Sequence, residues 1–244
     1  MPDFFDDEIP KWKPFVLREA APKPKDLSAS IIQDLTNLGT VKDKKGNDVP
    51  VTQFSTGMTQ LKGCTALYII SRKGVFAAHY WESVSFDPDK VWLTTGVKAW
   101  TPEAKAQMFK TTVLDPLRNR SKYHPKLKKK ILEDEYIKAY LIIPNQTWRE
   151  AGASDTGYED QWTEMQNMVN SIIPTLGKEG RWTRIRYKLV TNPDDLGSRY
   201  KANGKNIFKY DSRHPDPDSK TGGTQHKAAL WVEDETIPYH NETW

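Results

Sequence analysis

The sequence is short of several features that would place a protein at once. It holds one cysteine, Cys64, in 244 residues. A single thiol excludes an internal disulfide and any thiolate-based zinc cluster. No stretch approaches the ~18 apolar residues that a membrane span needs. A Gly-rich phosphate loop and an internal repeat are both missing, so neither a phosphate-cradling site nor a solenoid is expected. Neither sign of charge dominates: 36 Lys and Arg face 32 Asp and Glu, for a net +4. That balance points away from a nucleic-acid binder. Lys126, Lys128, Lys129 and Lys130, with Lys122 before them, form the one basic run. It reads as a solvated face. The start, Met1-Pro2-Asp3-Phe4-Phe5, has no signal-peptide layout. Asn-x-Ser/Thr triplets at Asn119, Asn145 and Asn241 lean slightly toward secretion over a cytoplasmic location. The compartment and the oligomeric state stay open.

What the chain does have is aromatic mass: 9 Trp, 10 Tyr and 8 Phe. Disordered chains lack these, so a packed fold is expected. Residues 1–26 carry prolines at positions 2, 10, 14, 22 and 24 and read as an extended arm. Residues 27–244 read as a single domain. A first helix is expected over Leu27–Leu38, with Ile31, Ile32, Leu35 and Leu38 on one face and Gly39 as its stop. Val49–Phe54 reads as an edge strand because it contains Pro50. Thr65–Ile70 and Val75–Trp81 are nearly continuous apolar runs around Arg72-Lys73-Gly74, hence a hairpin buried on both faces. Thr101-Pro102-Glu103 opens a helix running to about Leu117, since Thr caps and Pro suits the first turn. A strand over Lys138–Ile143 ends at Pro144, and a helix spans Tyr158–Leu176. Thr183–Leu189 alternates apolar with basic residues and reads as a half-exposed strand. Asn206–Tyr210 and Lys227–Val232 are further strands around a polar loop, Asp211–Gln225. The fold class is α+β, with largely antiparallel or mixed sheets, sandwich-like, and flanking helices; helices interrupt the strands too irregularly for a βαβ nucleotide fold.

Chemistry concentrates at Leu61-Lys62-Gly63-Cys64-Thr65. Glycine permits a sharp turn, which sets the cysteine at the mouth of a buried strand. His79 lies fifteen positions on, in the next strand of the hairpin. An even-length loop would put both side chains on one face of the sheet. A turn centred on Lys73-Gly74 would separate the two by roughly 13 Å along the strands. A turn centred on Ser71-Arg72, or a curled entry at Gly63, would bring them together.

The Leu-x-Gly-Cys turn entering a strand, with a histidine at this distance, resembles the Cys–His deamidase toxins. These include the cytotoxic necrotizing factor catalytic domain, the Burkholderia lethal factor and the chemotaxis-receptor deamidases. Lys62 stands where that pattern usually has a small residue, often Ser. Gly63–Leu67 and Ala78–Glu82 are also similar to uncharacterised fungal proteins of that superfamily. The likeness covers residues 57–83. It implies hydrolysis of a glutamine side-chain amide in a protein or peptide partner, without metal or organic cofactor. Cys64 would be the nucleophile, His79 the proton carrier, and backbone N–H groups of Gly63 and Cys64 the oxyanion donors. An amine in place of water would give transglutamination. A third group should orient His79, with Thr59 ranked first, Gln60 and Ser83 as candidates, and Glu82 lower because a regular strand would turn it away.

Trp81 and Trp92 are expected to border the substrate cleft, whose walls would be Gln53–Gln60, Ser83–Leu93 and Asp211–Gln225. A non-catalytic secreted effector or toxin-type binding protein on the same scaffold is the alternative. A papain-like peptidase finds only Gln60 in its favour. His214 with Asp211, Asp216 and Asp218 reads as a solvated loop rather than a metal site.

Overall fold

The computed structural model describes residues 29–93, 96–120, 124–145, 157–188, 190, 192, 201–233 and 236–244. The N-terminal arm therefore lies outside the described residues, as does Lys122. Two compact units are present. The described part of one lies within Leu35–Leu61 and Val190–Trp244, that of the other within Val16–Asp34 and Lys62–Leu189.

The second unit is built on a five-stranded sheet in the order β1-β6-β5-β7-β8. Its strands are β1 (Ala29–Asp34), β5 (Thr65–Ile70), β6 (Gly74–Tyr80), β7 (Lys138–Pro144) and β8 (Trp182–Tyr187). All neighbours run antiparallel except β7 and β8, which are parallel. Every residue of β5 and β6 is buried, as their apolar runs require of interior strands. Leu67, Ile69, Phe76 and Ala78 face a core completed by Trp162, Met165 and Val169 of one helix, Glu159–Ile172. Pro174 then opens a short 3-10 turn to Gly177, as the proline implies. A second helix, Pro102–Phe109, begins at Thr101, whose side chain accepts the Ala104 N–H at 3.2 Å. It passes through a π-helical stretch, Lys110–Leu114, into Asp115–Arg118.

The first unit carries a four-stranded antiparallel sheet, ordered β11-β10-β9-β4, and a two-stranded sheet of β2 (Thr40–Lys42) and β3 (Asp48–Pro50). Its larger sheet comprises β4 (Gln53–Met58), β9 (Asn206–Pro215), β10 (Thr224–Val232) and β11 (His240–Thr243). The α+β class, with mixed and antiparallel sheets and helices, is thus as expected.

Three local expectations change. Leu27–Leu38 is no helix where described: Ala29–Asp34 pairs with β6, Ile32 opposite Phe76. Ile31 and Ile32 fit a helix face by spacing, but an open edge on β6 satisfies the backbone of these β-branched residues equally well and decides the outcome. Gln53–Met58 is a strand rather than a loop, because β9 offers it a ladder from Asp211 to Asn206. Asp211–Gln225 is mostly hairpin, since β9 runs on to Pro215 and β10 starts at Thr224. Cross-strand bonds over a tight Asp216–Gly223 turn outweigh the polar composition.

Candidate functional site

Gly63 adopts φ +78, in the left-handed region where a side chain is strained. A side chain there would also have to displace the Glu82 carboxyl group. A Cβ on Gly63 would come within 2.6 Å of the Glu82 carboxyl carbon. The turn delivers Cys64 to the start of β5, where Tyr187 on β8 donates its hydroxyl to the Cys64 carbonyl at 2.9 Å. Trp162 donates its indole N–H to the Thr65 hydroxyl at 3.0 Å. The cysteine is therefore set on a clamped backbone, held from the sheet on one side and from the helix on the other.

The hairpin register fixes how Cys64 relates to His79. Thr65 lies opposite Tyr80 and Ala66 opposite His79, with Ile70 opposite Val75. The turn is thus centred on Arg72-Lys73, between the two placements weighed from sequence. Continued by one pair, this register sets Cys64 opposite Trp81. Cys64 and His79 then share a face as diagonal neighbours, whose Cα atoms lie about 7–8 Å apart, within side-chain reach. No hydrogen bond joins them. The thiol contacts the Lys62 carbonyl at 3.8 Å, and His79, 2% exposed, has no partner at Nε2 among the described residues. The Trp81 ring stands edge-on to the imidazole with centroids 6.0 Å apart. Neither the Gly63 nor the Cys64 N–H is bonded to a described residue.

Burial moves both groups toward their neutral forms. It pushes the Cys64 thiol up to about 11. Backbone groups of Glu82 and Lys62 pull the thiol back down, and the Glu82 charge adds a smaller push upward. Burial alone drives His79 down to about 4. At neutral pH the site is a thiol beside an uncharged imidazole, and burial opposes the ionisation of either.

The third group read from sequence, Thr59, follows β4 in the first unit, half-buried, with Gln60 exposed after it at φ 61. Glu82 belongs to the second unit, and its backbone bonds to the Cys64 thiol. It is 3% exposed, and Tyr158 donates its hydroxyl to Oε1 at 2.8 Å. It was ranked low because strand alternation would have turned it away. The strand ends at Tyr80, however, and a π-helical turn begins at Glu82 and runs to Phe86. Alternation no longer applies there. Trp81 and Trp92 are half-buried, and both pack on Val84 of this turn, with the Trp92 indole donating to the Ser83 carbonyl at 3.1 Å. Sequence reasoning missed Tyr158, Tyr187 and Trp162 as clamps. Their apolar roles were legible in the periodicity, but no periodicity encodes a hydroxyl or indole partner about a hundred residues away.

Elsewhere, an open groove of about 530 Å³ is lined by Asp87, Asp89, Lys90, Val91, Trp100 and Lys105, and Cys64 is not part of it. His214 sits on β9 with Nε2 3.4 Å from the Lys227 ammonium. Among the described residues, no group of three or more His, Cys, Asp and Glu gathers as a metal site, and no helix is long and apolar enough to cross a membrane.

The fold and site together define an α+β protein with a cysteine and a histidine on one face of a buried hairpin. No protein family matches the chain and no curated protein matches it. Among solved structures it is similar to the C-terminal domain of CNFy from Yersinia pseudotuberculosis, with a TM-score of 0.33 and 9% identity over 88% of this chain. The chain spans 58% of that domain. A likeness so distant carries neither an activity nor a residue role across.

Proposed function

We propose that this protein is a cysteine hydrolase acting on the side-chain carboxamide of glutamine in a protein or peptide. The observation that carries the reading is the register of β5 against β6, which sets Cys64 diagonal to His79 on one face behind a glycine turn. In this scheme His79 accepts the thiol proton as Sγ attacks the carboxamide carbon. The Gly63 and Cys64 N–H groups, unbonded among the described residues, receive the developing oxyanion. As the tetrahedral intermediate collapses, the C–N bond breaks, and the imidazolium returns its proton to the departing ammonia. Water then attacks the thioester carbonyl, leaving glutamate and the free thiol; an amine in its place would give an isopeptide bond. No metal or organic cofactor enters the sequence. Trp81 and Trp92, packed around Val84, supply an apolar wall for the glutamine methylenes.

The alternative, a non-catalytic effector or toxin-type binding protein on the same scaffold, draws on the missing hydrogen bond between Cys64 and His79. One experiment separates the two. A glutamine-rich protein such as casein is incubated with the wild type, Cys64→Ser and His79→Ala proteins, and ammonia is measured alongside mass spectra of the peptides. The enzyme reading expects ammonia and carboxamide-to-carboxylate conversion from the wild type alone. Activity surviving in Cys64→Ser sinks the assignment of the nucleophile. Silence of all three proteins across varied glutamine substrates favours the binding protein.

A further inference from the structure

Pro144 is the one residue of β7 that cannot donate a backbone hydrogen bond, and it lies opposite the candidate nucleophile. The β5–β7 register pairs Ile70 with Lys138 and Ala66 with Ile142, where it stops. Continued by two residues, it sets Cys64 opposite Pro144. The direction of the Cys64 peptide groups follows from the hairpin. The Ser71 N–H donates to the Gly74 carbonyl at 2.9 Å, so the odd-numbered residues of β5 turn their N–H and C=O toward β6. The even-numbered ones, Tyr68, Ala66 and then Cys64, turn theirs toward β7. The Cys64 carbonyl thus points at a strand whose facing residue has no N–H. Tyr187 supplies the missing donor. It sits beside Pro144 on the next strand, β8, where its own carbonyl accepts the Asn145 N–H at 2.9 Å. Its hydroxyl reaches across β7 and donates to the Cys64 carbonyl at 2.9 Å, with the side chain fully buried. The Cys64 N–H, the other half of the interrupted pair, is bonded to no described residue.

We propose that Pro144 and Tyr187 are positioning residues for Cys64: together they end the β5–β7 ladder at Ala66, so that the Cys64 carbonyl is fixed while its N–H stays available to an oxyanion. This deepens the hydrolase reading and rests on it for its purpose. In an unbroken antiparallel ladder, a hydrogen-bonded pair exchanges both bonds, N–H to C=O each way. A residue other than proline at position 144 would take the Cys64 carbonyl and present its own carbonyl to the Cys64 N–H. The nucleophile would then be held well, but its N–H would be taken up inside the sheet. Proline deletes one of the two bonds and with it the reciprocal closure. A buried carbonyl left without a donor is destabilising, so the gap calls for a second donor. A side-chain hydroxyl fills that role without bringing a backbone carbonyl into line with the Cys64 N–H. Backbone N–H groups stabilise a developing oxyanion only when they are not already engaged. The interruption falls where β5 meets the Gly63 turn, so the N–H groups of Gly63 and Cys64, consecutive in the chain, are both left to the substrate.

Amide hydrogen exchange, read residue by residue by NMR, tests this without a substrate. In the wild type the Cys64 amide should exchange at least about tenfold faster than that of Ala66, which the ladder holds. Equal protection of the two overturns the proposal. Pro144→Ala restores an N–H opposite Cys64. The expected result is a Cys64 amide slowed to the rate of Ala66, with kcat for ammonia release down about a hundredfold and KM little changed, as for the withdrawal of one oxyanion donor. A Cys64 amide unmoved in folded Pro144→Ala overturns the proposal as well. Tyr187→Phe leaves the Cys64 carbonyl without its donor and should lower the melting temperature; an unchanged melting temperature overturns the tether and the proposal with it. Combining the two substitutions separates positioning from packing. The restored N–H takes the orphaned carbonyl, so the double variant should regain the melting temperature lost in Tyr187→Phe yet stay as slow in kcat as Pro144→Ala. If Pro144→Ala does not fold, the wild-type comparison and Tyr187→Phe decide. Silence of every protein in the ammonia assay, with the exchange pattern as expected, upholds the interrupted ladder and counts against the hydrolase reading alone, so the two ideas fail separately.

Discussion

At Cys64 and His79 one cause, burial, displaces two pKa values in opposite directions, and each displacement makes a measurable claim. With the thiol up at about 11, only about a thousandth of it is thiolate at pH 8, a hundredfold less than for a thiol at its ordinary 9.0. Alkylation by iodoacetamide should therefore be slow at neutral pH and rise about tenfold per pH unit toward pH 10. A thiolate–imidazolium pair would instead react on a plateau beginning below neutrality, and observing that plateau would contradict the neutral pair described above. His79 makes the second claim. The unfolded chain takes up a proton as pH falls through 6.5, whereas the folded site resists until about 4. The unfolded state binds more protons in that window, so stability is full above 6.5 and declines as pH falls toward 4. At about pH 4.5 the loss amounts to about 2.5 kcal/mol from this one residue. His79→Asn should remove that increment. Denaturant unfolding of both proteins at neutral and acid pH measures it, and equal acid sensitivity would show that His79 is not the titrating group.

The β5–β6 hairpin and its entry turn were the most legible elements, because continuous apolar runs can only be interior strands in a chain of this composition. The register was less accessible. Moving the turn by one residue changes which side chains meet, and Ser71, Arg72, Lys73 and Gly74 accommodate more than one centre. The structure selects Arg72-Lys73 because the Ser71 hydroxyl accepts the Gly74 N–H at 3.0 Å and the Ser71 N–H donates to the Gly74 carbonyl at 2.9 Å. Cys64 and His79 could be nominated from sequence, since a Gly-Cys turn and a histidine in an apolar strand are both locally visible. Glu82 could not be promoted, because the end of β6 at Tyr80 depends on packing of Val84 and Phe86 rather than on any breaker residue. β1 reads as a helix for a related reason: Ile31, Ile32 and Leu35 fit a helix face, and only pairing with the open edge of β6 decides for a strand. The entry turn carries its own prediction. Gly63→Ala meets both a positive φ and the Glu82 carboxyl group. The cost should be about 2–4 kcal/mol, above the ~1 kcal/mol expected for alanine at an ordinary left-handed position. In a Glu82→Ala background the overlap disappears and the penalty should fall to the φ cost alone. A double-mutant cycle in denaturant unfolding measures the difference, and additive effects would mean the two residues do not press on each other.

At the scale of the whole chain, the unit that holds Cys64 and His79 is not continuous in sequence. Its strand β1 comes before the excursion of Leu35–Leu61 into the other unit, and its remaining elements follow from Lys62. β1 covers one edge of β6, pairing Ala29 with His79 and Asp34 with Gly74. A fragment starting at Lys62 therefore keeps Cys64, His79, Glu82 and the described helices that pack on the core, yet leaves β6 as an open, largely apolar edge. Such an edge is a template for intermolecular pairing. The six pairs of β1 with β6 must also close a loop through the other unit, so they are long-range contacts, slow to form and absent from any fragment that starts later. We expect residues 62–189 expressed alone to collect in insoluble aggregates or in soluble oligomers with exposed apolar surface. Restoring β1 by fusing residues 29–34 to that fragment through a flexible linker should recover a monomer. Size-exclusion chromatography and dye binding on the two fragments measure the difference. A monomeric, cooperatively unfolding 62–189 fragment would mean that β1 is dispensable, and that the hairpin holding Cys64 and His79 is stable with one edge bare.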